Sequence, residues 1–160
     1  MLLRSNDVTE QKVKVAEAVS QEMTRQWFGD LVVNSDWNTL WLNEGFANYM
    51  KYFVLEKIFE GDLDGHNYQT SESFEPALID DSRSSSHPVT LNTETPEKAQ
   101  EFLDQVTAEK SGALLRMIKE VVGEEVFRKG IQLKAWDGSR LKMADFGEKW
   151  ILQWRRELDV

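Results

Sequence analysis

Cysteine is missing altogether from this chain of 160 residues, which excludes disulfides and thiolate metal sites. Histidine is nearly missing: only His66 and His87 occur, which sharply limits imidazole-based metal chemistry. Basic residues are outnumbered, 19 Lys and Arg against 28 Asp and Glu. The resulting net charge of −9 argues against nucleic acid as a partner, because phosphate binding needs clustered Lys and Arg. The acidic excess is spread along the chain, as on a solvated surface. No apolar run approaches the roughly 20 residues that cross a bilayer. Met1-Leu2-Leu3 leads straight into polar sequence, so no signal peptide is expected. Asn-x-Ser/Thr sequons are absent as well. What remains, 41% apolar and 29% charged residues, is the composition of one globular domain with enough chain for a core.

The periodicity is helical almost throughout. Val15, Val19, Met23 and the pair Gln26–Trp27 recur at three- to four-residue spacing and predict a helix over 9–28 with that face buried. Gly29-Asp30 ends it, and Leu31-Val33 reads as a short strand or turn. A second helix is expected from about Asn38 or Thr39 to Phe59. Gly45 within it costs about 1 kcal/mol relative to alanine and points to close packing. Trp27, Phe28, Trp41, Phe46, Tyr49 and Tyr52 read as core. A short helix is expected over Tyr68–Ala77, and a loop over Ser82–Pro88. Thr95-Pro96 is a helix start, threonine capping and proline at the first helical position. Further helices are expected over about 96–104, 107–121, 124–135 and 142–155. The fold class is mainly α.

Residues 18–47 hold the frame of a zinc-peptidase site without its ligands. In H-E-x-x-H on a helix the histidines lie one turn apart and bind zinc, and the glutamate between them activates the bound water. A third ligand, glutamate, comes from the next helix eighteen residues later. Here the corresponding positions are Gln21, Glu22 and Arg25, then Glu44. An amide binds zinc weakly. An arginine cannot be deprotonated in proteins, so Arg25 repels a dication as well as failing to ligate it.

The phrases QWFGDLV and WLNEGFANYM resemble the aminopeptidase N-like zinc aminopeptidases, whose catalytic domain is thermolysin-like. Ser85-Ser86-His87-Pro88, Lys110 to Met117, Val126 to Gln132 and Trp150 to Gln153 resemble later segments of the same family. The resemblance covers nearly the whole chain. It implies one domain over 1–160, the C-terminal helical half of a catalytic domain, with the upstream β domains and the amino-group-binding loop outside it. It also implies that Glu22 holds the general-base position and Glu44 the third-ligand position. Ala108 stands where the family carries its transition-state tyrosine, and alanine cannot donate a hydrogen bond to an oxyanion.

On this reading no cofactor is expected, although the family uses zinc. His87 occupies a family position that is not a ligand, and His66 lies in a Gly/Asp loop without a helical partner. Without a metal, Glu22 and Glu44 are like charges about 5 Å apart, which costs about 3 kcal/mol at an effective dielectric near 20. An Arg25–Glu44 salt bridge, with Gln21 adding hydrogen bonds and Glu22 alongside, relieves that repulsion; the alternative is Arg25 turned out to solvent. Three functional readings follow. One is a non-catalytic homologue acting by peptide or protein binding. Another is an active metallo-aminopeptidase with zinc on atypical ligands. The third is a structural piece prone to self-association. Family members are cytosolic or membrane-anchored, so the resemblance leaves the compartment open.

Overall fold

Helix α1 (Thr9–Trp27) begins the ordered path; the computed structural model describes residues 9–33, 37–59, 61–90, 95–101, 103–132 and 141–142. Its buried face is not the expected one. Val13, Ser20 and Thr24 face inward, whereas Val19, Met23 and Trp27 stay outside, Trp27 at 60% exposure. The reason is local. Thr24 Oγ1 donates to Ser20 O at 2.8 Å, so this hydroxyl is satisfied inside its own helix. Small side chains at 20 and 24 then let α2 approach. Met23 and Trp27 beside them form one wall of a groove of about 320 Å³ that also includes Leu31, Met50 and Val54.

One turn of 3-10 helix (Trp37–Thr39) leads into α2 (Trp41–Ile58). Phe28, just past α1, stacks on Phe46 of α2 with centroids 4.1 Å apart and planes 6° from parallel. Phe46 is fully buried. Both phenylalanines join Val32, Leu115 and Phe127 in the core cluster, with Tyr49 edge-on to Phe127 at 5.4 Å. Of the aromatics expected in the core, Phe28, Phe46 and Tyr52 are buried, Trp41 and Tyr49 are half-buried, and Trp27 is outside.

Helix α6 (Gln105–Val122) crosses α2 where both are small. A Cβ on Gly45 would lie 2.7 Å from Ser111 Cβ and 3.1 Å from the Ser111 carbonyl carbon. A Cβ on Gly112 would come closer still, onto the Asn48 side chain. Gly45→Ala is therefore expected to lose stability, because overpacking of about 1–3 kcal/mol outweighs a helix-propensity gain of about 1 kcal/mol. A lower urea midpoint at unchanged m-value is the expected readout; a raised midpoint would mean that Ser111 simply yields.

Between these helices the chain is more helical than periodicity suggested. α3 (Gly65–Gln69), a π turn (Thr70–Phe74) and α4 (Glu75–Asp81) run on from one another, past both ends of the expected 68–77. Asp64 caps the start, accepting from the His66 and Asn67 N–H groups at 3.0 Å each. Pro76 has no N–H and its ring crowds the preceding turn, which the wider π turn accommodates.

α5 (Pro96–Glu101) follows the expected start, and Asp104 caps α6 through the Thr107 N–H at 2.8 Å. α6 ends at Gly123, whose φ of +82° favours glycine, and α7 (Glu124–Gln132) follows. Strand β1 (Val32–Val33) pairs in parallel with β2 (Leu141–Lys142). Lys142 is thus strand, not helix; the rest of the expected 142–155 helix and residues 133–135 lie outside the described residues. The protein is mainly helical, as expected. Among the described residues no helix is long and apolar enough to cross a membrane.

Candidate functional site

The exposed end of the α1–α2 contact gathers four of the five expected site residues. Gln21, Glu22 and Arg25 come from the last two turns of α1, and Glu44 from the first turn of α2. Arg25 bridges the helices: its Nη2 donates to Glu44 Oε2 at 2.7 Å, and its Nη1 donates to Glu22 Oε1. Burial works against the Arg25 charge, but hydrogen bonds and charge from Glu44 and Glu22 outweigh it, holding the guanidinium above its ordinary value. The cation remains a cation at every practical pH.

The two arms differ in worth. Glu22 is 67% exposed and pairs at i, i+3, an arrangement worth about 0.3–0.5 kcal/mol. Glu44 is only 20% exposed and ties two helices together, but Arg25 is 35% exposed, so solvent screening keeps this arm near ~1 kcal/mol. Gln21 is half-buried beside them, and among the described residues it adds no hydrogen bond to the triad. Ala108 lies on α6 one turn before the Ser111–Gly112 crossing and is half-buried.

The two histidines are elsewhere. His66 sits at the start of α3. His87 fastens the Ser82–Pro88 loop to α6: its Nε2 lies 3.1 Å from Asp104 Oδ2 and its Nδ1 3.2 Å from Pro88 O. Lys110 adds to the clamp, donating to Asp81 Oδ1 at 2.6 Å and to His87 O at 3.0 Å. Both His87 ring partners are acceptors, so the doubly protonated ring satisfies both contacts.

The Asp104 bond accordingly raises the His87 pKa above its ordinary 6.5. Burial opposes the Asp104 charge, but the Thr107 N–H and His87 outweigh it and hold that carboxyl below its ordinary 3.8. The Asp104 contribution is present above 3.8 and lost as pH falls; the His87 contribution is complete below 6.5 and lost as pH rises through the raised value. His87→Ala is therefore expected to cost more stability at pH 6 than at pH 9, by less than ~1 kcal/mol at these partly exposed sites. Paired urea titrations at the two pH values check the sign.

With this geometry in view, the sequence relationships are specific. Residues 1–150 match the Peptidase family M1 domain. The chain belongs to peptidase family M1. It is 38% identical over 136 residues to "Probable aminopeptidase 2" of Sulfurisphaera tokodaii, covering 83% of this chain and 17% of that protein. It is 38% identical over 120 residues to "Endoplasmic reticulum aminopeptidase 2" of Homo sapiens, covering 75% and 12% respectively. "Leucyl aminopeptidase" of Saccharolobus solfataricus is 37% identical over 121 residues, or 76% of this chain and 15% of that one. The chain thus spans less than one-fifth of the length of these relatives.

M1 aminopeptidases are generally zinc-dependent. Around Arg25, a permanent cation lies against the Glu44 carboxylate, and a cation in that place repels a dication. Among the described residues no group of three or more His, Asp and Glu is arranged to hold a metal.

Proposed function

We propose that this chain is a non-catalytic homologue of zinc-dependent aminopeptidases that acts by binding a peptide or a protein. The observation that carries the reading is Arg25 inserted between Glu22 and Glu44. Zinc at such a site lowers the pKa of its water to about 7 and polarises a scissile carbonyl. A guanidinium does neither: it has no vacant coordination position and no proton to give at neutral pH. The carboxylate at Glu22 then has no activated water to serve. Ala108 supports the same reading independently, since its methyl group leaves an oxyanion without a donor. Three replacements of unrelated chemistry, Gln21, Arg25 and Ala108, fit drift after loss of selection better than a single blocked step.

The 320 Å³ groove beside Met23, Trp27 and Met50 supports binding as the surviving activity, because it offers apolar side chains next to the old site. The domain assignment forms part of the proposal: the chain is the helical part of an M1 catalytic domain. The test pairs metal analysis of the purified chain with hydrolysis of aminoacyl chromogenic substrates. Sub-stoichiometric zinc and no turnover above the uncatalysed rate are expected. Stoichiometric zinc with chelator-sensitive turnover would establish the competing reading, an active aminopeptidase with atypical ligands.

A further inference from the structure

At the far end of α2 a buried cation and a buried amide stand with too few partners. Arg116 is only 8% exposed. Its Nη1 donates to His66 O and Thr70 Oγ1 at 3.0 Å each, and its guanidinium lies 4.7 Å from the Phe74 ring centroid. Among the described residues no carboxylate comes within ion-pair distance of it. Burial pushes its pKa below the ordinary value, a shift that the more distant Glu120 opposes. Gln69 is 3% exposed, and its Nε2 has no hydrogen-bond partner among the described residues. An unpaired buried donor forfeits its hydration without recompense, and so does a buried charge without a counter-charge.

The two side chains line the same small cleft, about 60 Å³, between α2, α3 and the second half of α6. That volume exceeds what one water needs several-fold and is the scale of a carboxylate group. The cleft shares Glu56, His66 and Lys119 with a wider opening of about 770 Å³, which gives room for whatever the carboxylate is attached to. Charges at the mouth narrow the chemistry. Lys119 is engaged by Glu120 at 3.1 Å, and Glu56 and Glu120 place negative charge at the rim. A polyanion meets repulsion there, whereas a single carboxylate needs only the buried donors.

The geometry points to a carboxylate-binding site, in which Arg116 and the Gln69 amide hold the acid group of a small organic acid or of a peptide C-terminus. The site is separate from the Arg25 cluster. Glu44 and Glu56 are three turns apart along α2, about 18 Å of helix. The inference stands whether or not the chain hydrolyses anything.

The full 160-residue chain is titrated with acetate, N-acetylglycine, N-acetylglycinamide and inorganic phosphate, following the Gln69 side-chain amide and His66 ring by NMR. Acetate and N-acetylglycine are expected to saturate those signals with dissociation constants on the order of 1 mM, while the amide does not bind. Tighter binding of N-acetylglycine than of acetate identifies a peptide C-terminus as the source; equal binding identifies a small free acid. Arg116→Gln and Gln69→Met are each expected to weaken binding by roughly 10-fold or more. Gln69→Met keeps the side-chain length, so it remains informative if Arg116→Gln fails to fold. The inference is overturned by absence of saturation at roughly 10 mM, by phosphate binding more tightly than acetate, or by a folded Gln69→Met variant that binds like the parent.

Discussion

Gln21→His combined with Arg25→His is expected to bind one zinc ion per chain with a dissociation constant on the order of 1 µM or below, where the parent chain binds none. Positions 21 and 25 lie one turn apart on the same face of α1, the spacing at which two imidazoles reach one ion. Glu44 already reaches that face, since its Oε2 lies 2.7 Å from Arg25 Nη2. Replacing Arg25 removes the competing cation and frees the Glu44 carboxylate in one step. Zinc at 100-fold excess over its dissociation constant should then add about 2.7 kcal/mol to the unfolding free energy, a gain not expected of the parent. Calorimetric titration and urea unfolding with and without zinc measure the two quantities. Hydrolysis is not expected, because on the proposed reading Ala108 supplies no donor to an oxyanion. A double variant that folds but takes up no zinc would mean that Glu44 is not oriented to ligate, and the zinc-site frame would lose its third member.

How much of this was legible beforehand depends on which signal each element used. The spacing of Gln21, Glu22 and Arg25 on one helix and Glu44 on the next was legible, and the Arg25 guanidinium joins Glu22 to Glu44. Gly45 was legible as a close approach because glycine inside a helix needs a reason. The buried face of α1 was not. Two stripes lie side by side there, and hydrophobicity favours Val19, Met23 and Trp27 over Ser20 and Thr24. Only the internal Thr24 hydrogen bond and the need for a slim contact surface decide for the polar pair, and neither is visible in a hydropathy pattern. The helix over 65–81 was underestimated for a similar reason: Asp, Ser, Gly and Pro 76 suggest loop, while the Asp64 cap and a π turn make helix possible. Arg116 was legible only as part of the family-like Lys110–Met117 segment and Gln69 not at all, since their isolation depends on three elements meeting.

Phe46→Ala is expected to cost about 3–5 kcal/mol, a third or more of the stability of an ordinary domain. Phe46 is fully buried and stacks on Phe28 at 4.1 Å, so truncation removes transfer energy, leaves a cavity and abolishes the aromatic contact. Arg25→Ala severs the one ion pair that α1 makes with α2 among the described residues, yet should cost only ~1 kcal/mol because solvent reaches the guanidinium. The contrast tests what holds the two helices. If the aromatic stack carries the contact, the helix pair does not depend on Arg25. Urea unfolding of both variants, followed by circular dichroism, separates the cases: comparable losses would make the Arg25 bridge a principal tie between the helices, whereas the expected several-fold difference leaves that role to the packing around Phe28 and Phe46.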